Sequence, residues 1–368
     1  MRELLKSLRL KTLDKYIMKK FLGTFFFALL LIIVVIVIFD ISEKVDDFIE
    51  KEAPLHAIIY DYYINIIPYY STMFTSLFTF IAVIYFSSKM AYNSEIIAIL
   101  SSGISFRRIM YPYMLSALLL AVFSFGLKDW VMPAANRHRF AFEQQYLKKK
   151  SVQFTQRNVH KQLEKGLFMY MESYSVNTET GYRFSLERFQ DGRLVSKLTS
   201  ENVKWNAEKE KWTIRNYVVR DIDGLDEKLT SGRQLDTLLN MHPEDFKRTD
   251  HFVETMNIGQ LHDFIEELRM QGSDEINSYI IEYHNRISFP FATFILTLIG
   301  VSLSTKKSRG GIGIQISIGI ALSFAYILFQ QFSAQFATKG NLSPMVGAWI
   351  PNLIFLAIGL VLYKMAQK

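Results

Sequence analysis

A carboxylate, an imidazole and a guanidinium fall within five residues at Glu282-Tyr283-His284-Asn285-Arg286, a grouping that could serve proton transfer by a general acid and base. The same residues have a plainer use. Glu282 and Arg286 stand at i and i+4, the helical spacing that pairs opposite charges in an interfacial polar cluster. The run Gly310-Gly311-Ile312-Gly313 could in principle cradle a phosphate, but it follows a basic loop at the head of an apolar stretch, where small residues favour close helix packing. No G-x-x-x-x-G-K-[ST], H-E-x-x-H or G-x-S-x-G pattern occurs, and the seven histidines are scattered without ligand spacing. The absence of cysteine removes disulfides, thiolate metal sites, iron–sulfur clusters and cysteine nucleophiles. Catalytic, metal and cofactor chemistry therefore find no support in the sequence.

The segment with the most to say about function is Lys89 to Arg108. Asn93 or Ser94 can cap a short helix, Glu95 falls in its first turn where the helix dipole favours an anion, and Gly103 can end it. Ile96, Ile97, Ile99 and Leu100 are too many apolar residues for a free loop of this size. Two readings stand: a helix lying flat in the headgroup layer, or one inserted into a groove of a cytosolic partner, with Glu95 meeting a basic residue.

The elements that hold these residues follow from the distribution of charge. The chain has 368 residues, of which 21% are charged, yet 21–39, 62–88, 109–127, 287–305, 310–338 and 340–363 carry no charge. Each reaches the roughly 17–25 residues that a helix needs to cross about 30 Å of hydrocarbon. A soluble globular enzyme is excluded. Arg2, Lys6, Arg9, Lys11, Lys15, Lys19 and Lys20 precede the first stretch, whereas in residues 40–61 acids (Asp40, Glu43, Asp46, Asp47, Glu50, Glu52 and Asp61) outnumber Lys44 and Lys51. Lys89, Arg107 and Arg108, then Lys306, Lys307 and Arg309, then Lys364 and Lys368 mark later loops and the C-terminus. The positive-inside rule places both termini and loops 89–108 and 306–309 in the cytoplasm, with 128–286 outside. The net charge of +7 is thus chiefly a topology signal, and a nucleic-acid partner is not expected. The first apolar run is too long for a signal-peptide core and lacks a small-residue cleavage site, so it reads as a retained helix.

Between about 152 and 240 the apolar period changes to two, as in Leu167-Phe168-Met169-Tyr170-Met171-Glu172 and Trp212-Thr213-Ile214-Arg215. Turn signals separate these runs at Asn177-Thr178-Glu179-Thr180-Gly181, Gln190-Asp191-Gly192 and Ala207-Glu208-Lys209-Glu210. An amphipathic helix follows, with Leu261, Phe264, Ile265 and Leu268 on one face and Gly272 as its stop, after which Ser273 caps the fourth span. The expected fold is an α-helical polytopic membrane protein of six transmembrane helices with an inserted all-β, jelly-roll-like domain. Its parts are residues 1–127, 128–272 and 273–368.

The arrangement of six spans around an external β domain, with the loop Asn93 to Gly103, resembles the LptF/LptG family of lipopolysaccharide export permeases. So do Asp129-Trp130-Val131-Met132-Pro133, Gly300-Val301-Ser302-Leu303-Ser304, Arg309-Gly310-Gly311-Ile312-Gly313, Leu342-Ser343-Pro344 and Trp349-Ile350-Pro351-Asn352. The C-terminal third is more similar to LptG than to LptF. The resemblance implies a bacterial inner-membrane subunit of an ABC transporter, not itself an enzyme, with the β domain in the periplasm. It implies a paired LptF/LptG-type permease, an LptB-type ATPase dimer, an LptC-type bridge protein, and lipopolysaccharide as cargo. Residues 93–103 would be the coupling helix, and spans one and five the lateral gates. Lys44, Arg137 and Arg139 become candidates for the anionic lipid headgroup, with topology or solvation as the alternative for the two arginines. This chain departs from family members that carry a lysine deeper in span one, having Val37-Ile38-Phe39 and then Asp40. Two competing functions remain on the residues alone. An ion-coupled secondary transporter predicts charged or broken helices at the midplane, and a membrane-bound lipid- or glycan-modifying enzyme predicts clustered carboxylates in the β domain.

Overall fold

The computed structural model describes residues 11–147, 155–224, 226–246, 252–271, 276–305 and 311–366. Arg2, Lys6, Arg9, Gly272, Ser273, Lys306, Lys307, Arg309, Gly310 and Lys368, together with the expected start of the strands near 152, lie outside the described residues.

Six helices among the described residues are long and apolar enough to cross a membrane. Helix α1 spans Thr12–Glu50, α2 Leu55–Tyr92 and, after the short α3 at Glu95–Ser101, α4 spans Phe106–Leu147. Beyond the sheet come α5 (Ile258–Gln271), α6 (Ile276–Ser304), α7 (Gly311–Thr338) and α8 (Pro344–Ala366). The protein is a multi-pass membrane protein with an inserted β domain.

At 39 residues α1 is about 58 Å long, roughly twice the hydrocarbon thickness. The acidic stretch that ends the first span is therefore helical as far as Glu50. One stripe of α1 is buried: Ile17, Phe21, Phe25 and Leu29 recur at every fourth residue. They pack with Val83, Phe86 and Met90 of α2 and with Ile109, Met110 and Tyr113 of α4. α4 continues well beyond the charge-free stretch that ends at 127. It does so through a π-helical turn at Leu127–Val131, immediately before Met132-Pro133. Pro133 has no N–H to give the preceding turn, and a widened turn is a common way for a helix to absorb that loss.

Glycines make close helix contacts. A Cβ on Gly300 would lie 2.8 Å from a Val83 methyl, joining α6 to α2, and one on Gly347 would lie 2.5 Å from the Ala337 Cβ, joining α8 to α7. A Cβ on Gly313 would meet open space within this chain.

The β domain is one six-stranded antiparallel sheet in the order β1 to β6, each strand pairing with its chain neighbour. The strands are Thr155–Glu164, Leu167–Ser175, Thr180–Gln190, Arg193–Asn206, Lys211–Asp223 and Asp226–Thr237. Asp191-Gly192 closes β3 onto β4 with both residues at positive φ (51° and 77°), the geometry of a two-residue hairpin. Asn206 closes the next turn by accepting the Glu208 and Lys209 N–H groups at 3.1 and 3.2 Å. Gly181 falls inside β3 rather than in the turn that was expected to contain it. Met169, Met171, Tyr174, Phe184, Val203, Trp212 and Ile214 form the core of the sheet. The Trp212 indole N–H is satisfied at 2.9 Å by the Met241 carbonyl.

The described residues fall into two compact units. One comprises residues up to 147, 254–259 and those from 277 onward; the other comprises 148–253 and 260–276.

Candidate functional site: a short amphipathic helix at the foot of the bundle

α3 forms where the sequence placed it, but its start differs from a simple cap. Ser94 occupies the N-cap position in a left-handed conformation (φ 62°) and makes no side-chain cap bond. Asn93 instead donates its amide to a Glu95 carboxylate oxygen at 3.3 Å. Gly103 (φ 87°) ends the helix, its N–H reaching the Leu100 carbonyl at 3.0 Å.

The four apolar residues divide by face. Ile96 is buried and Ile99 packs beside it against the core shared by α1, α2 and α4. Ile97 and Leu100 are 49% and 40% exposed, so one turn of helix carries an anchoring face and an outward apolar face with Glu95 at its head. A helix of seven residues would be marginal alone; the buried side of Ile96 is what holds it on the bundle.

Two contacts that sequence reasoning missed tie this foot to α1. The Tyr16 hydroxyl donates to Glu95 at 3.1 Å, and the Tyr16 ring meets Phe86 edge-on at 6.3 Å. Arg108, at the start of α4, forms a bidentate pair with Asp14, both bonds 2.6 Å long. Asp14 also accepts the Lys11 N–H at 2.8 Å. The available signal was a lone acid, Asp14, within the basic run of residues 11–20.

The cations proposed for a lipid headgroup are largely engaged within the protein. Lys44 pairs with Asp40 at 2.6 Å and contacts the Tyr62 hydroxyl, and its ammonium stands 4.8 Å from the Tyr62 ring centre. Tyr63 also donates to Asp40, at 3.2 Å. Arg139 is buried, with Glu143 at 3.4 Å, Glu254 at 3.6 Å and the Tyr69 and Phe140 rings against its guanidinium. Arg137 is exposed and donates to the Thr255 carbonyl at 3.2 Å. Tyr62, which touches Lys44, also packs on Phe142, one helical turn beyond Arg139. Lys44 and Arg139 thus stand against aromatic rings, and Arg137 is held by a backbone carbonyl instead.

The Glu282–Arg286 pair is formed at 3.2 Å, and Lys128 joins it at 3.3 Å. Arg286 also donates to the Met256 carbonyl at 2.6 Å, so the cluster that could have moved protons is a structural network. Among the described residues, no group of three or more His, Asp or Glu gathers in a way that could hold a metal.

Comparison with known proteins bears on what such a foot and bundle serve. The family model described as "Lipopolysaccharide export system permease LptF/LptG" matches residues 15–365. The chain is 21% identical over 276 residues to the lipopolysaccharide export system permease protein LptG of Escherichia coli (strain K12), covering 74% of this chain and 75% of that protein. It is also 21% identical over 357 residues to LptG of Haemophilus influenzae (strain ATCC 51907 / DSM 11121 / KW20 / Rd), covering 95% of this chain and 97% of that one.

Proposed function

Because the chain belongs to the LptF/LptG family of lipopolysaccharide export permeases, we propose that it is the permease subunit of an ATP-driven exporter in a bacterial inner membrane. It takes lipopolysaccharide from that membrane and passes it to a periplasmic bridge. The named relatives are LptG proteins, which supports the LptG position in a pair with an LptF-type permease. Both termini and α3 face the cytoplasm on this reading, and the sheet stands in the periplasm, where an LptC-type protein continues the path.

The observation that carries the reading is the division of α3 into a buried and an outward apolar face beside Glu95. A subunit without nucleotide machinery must receive its driving force by contact, and Ile97 and Leu100 offer that contact to a groove on an LptB-type ATPase dimer. A second observation supports pairing with another permease: α1 and α7 are the least buried spans, with 17% and 22% of their apolar windows inside the chain against 61% for α6. Phe27, Leu30, Phe39, Phe324 and Phe332 are among their exposed apolar residues. These are the faces that would border a lipid cavity and its lateral gates. For the headgroup, Arg137 is the candidate that is exposed, and Lys44 and Arg139 would act by shaping the rim.

The test is co-purification. The complex should bring a soluble ATPase with it, and Glu95→Lys should abolish that association while the membrane part stays folded. A Glu95→Lys protein that keeps its ATPase and still exports lipopolysaccharide would remove the coupling role.

A further inference from the structure

The motif Asp129-Trp130-Val131-Met132-Pro133 puts a buried carboxylate on the π-helical turn of α4. Asp129 Oδ1 accepts the Ile258 N–H at 2.6 Å, and Ile258 is the first residue of α5. A carboxylate of α4 thus caps a helix that begins 129 residues further along the chain. The residues just before Ile258 are held in a similar way. Asn136 of α4 donates to the Glu254 carbonyl at 3.0 Å, Arg137 of α4 to the Thr255 carbonyl at 3.2 Å, and Arg286 of α6 to the Met256 carbonyl at 2.6 Å. Three successive carbonyls and the first N–H of α5 are therefore taken by side chains of two spans. Residues 254–259 accordingly group with the bundle, although 253 and 260 belong to the other unit.

Connecting segments usually run over the surface, where water can satisfy their backbone groups. Asp129, Asn136 and Arg286 are buried instead, and burying such groups is costly unless their bonds are made. Polar side chains in place of water give this segment a fixed position, which a passive linker would not need. The chain leaves the bundle for the sheet along α4 and returns through 254–259, so both connections are held by α4. We propose that residues 254–259 form a clamp that stays closed through the transport cycle, joining the return connection of the β domain to α4 and α6. Given the export role proposed for the chain, on which this rests, a displacement of either span reaches both connections of the β domain together. Asp129 and Asn136 are then positioning residues, acting through the backbone they hold.

Two readouts test the clamp in the full-length chain assembled with its proposed partners: amide exchange followed by mass spectrometry, and lipopolysaccharide released per ATP hydrolysed. The Ile258 amide should exchange slowly in the wild type and stay slow while ATP is hydrolysed. Asp129→Ala should speed that exchange about tenfold or more, the loss expected for a hydrogen bond to a charged acceptor. Asp129→Ala and, separately, Asn136→Leu should lower the lipopolysaccharide released per ATP while the ATPase stays bound and active. A variant that merely unfolds would lose the bound ATPase as well, so the ratio separates positioning from stability. Asp129→Asn keeps an acceptor oxygen for the Ile258 N–H and should restore most of the export. Exchange at Ile258 that quickens during ATP hydrolysis would show the clamp opening and overturn the proposal. So would an unchanged ratio in both Asp129→Ala and Asn136→Leu, or an Asp129→Asn protein as impaired as Asp129→Ala. A wild type that releases no lipopolysaccharide would overturn the export role itself, and that result is read before any variant is compared.

Discussion

The guanidinium of Arg108 meets both oxygens of the Asp14 carboxylate at 2.6 Å, joining the first turn of α1 to the first turn of α4 across 94 residues of chain. The Asp14 side chain is 1% exposed and that of Arg108 32%, so removing the arginine strands a buried anion. Arg108→Met should destabilise the protein by about 3 kcal/mol, toward the lower end of the cost of breaking a buried pair. Asp14→Leu combined with Arg108→Met should recover most of that loss. Thermal unfolding of the three variants in detergent checks this; additive losses in the double variant would show that the two residues are not coupled.

Tyr16 reaches the same foot by a different route, through its hydroxyl on Glu95. Tyr16→Phe removes that bond but keeps the ring that meets Phe86. If Glu95 docks on a partner cation, its orientation by Tyr16 and Asn93 should matter by about 1 kcal/mol, a fivefold weakening of ATPase binding. Ile97→Asp should abolish binding, because it places a charge on the outward apolar face. Biosensor titration of the purified permease with the proposed LptB-type ATPase reads both. Undiminished affinity in Tyr16→Phe would mean that Glu95 finds its partner without help.

How far these features were legible in the sequence depends on whether they are local. Spans announce themselves because hydrocarbon demands an uninterrupted apolar run, and Asp191-Gly192 announces a hairpin because few residues tolerate positive φ twice in succession. Helix α3 was legible for a similar reason: four apolar side chains between Glu95 and Gly103 need cover. Which of them would be covered was not, since the burial of Ile96 depends on α1, α2 and α4 packing against it. Pairings over long separations, such as Asp14 with Arg108 and Tyr16 with Glu95, leave no periodic trace. Lys44 shows the converse. Its position suggested a free cation at the interface, whereas Asp40 one turn earlier and Tyr62 on α2 engage its ammonium.

Glycine contacts between spans provide a stability test with its own control. Gly347 approaches α7 so closely that a Cβ would lie 2.5 Å from the Ala337 Cβ and 3.2 Å from the Ser333 carbonyl. The Ser333 hydroxyl donates to the Gly347 carbonyl at 2.6 Å, which fixes the register of the two helices. Gly347→Val should therefore cost about 2–3 kcal/mol through overpacking and the loss of that bond. Gly313→Ala, in open space, should be neutral or should stabilise the isolated chain by up to about 1 kcal/mol through helix propensity. Melting temperatures of the two variants should move in opposite directions or differ clearly in size, and equal losses would contradict the packing described.

In the β domain, Asp236 on the last strand carries a pH-dependent contribution whose direction follows from its partners. Lys209 donates to its carboxylate at 2.8 Å, Thr213 at 2.9 Å from the residue paired with it across β5 and β6, and Gln234 at 3.2 Å. These bonds, with Lys209 foremost, lower its pKa from 3.8 to about 2. Between those values the unfolded chain binds a proton that the native sheet does not, so stability rises with pH there. The contribution is complete above the unfolded value and disappears as pH falls through about 2. The carbon-13 shift of the Asp236 carboxyl in the full-length protein should titrate near that pH, and Lys209→Met should move the midpoint upward toward the ordinary aspartate range. A wild-type midpoint already near 3.8 would mean that the three donors do not hold the carboxylate in solution.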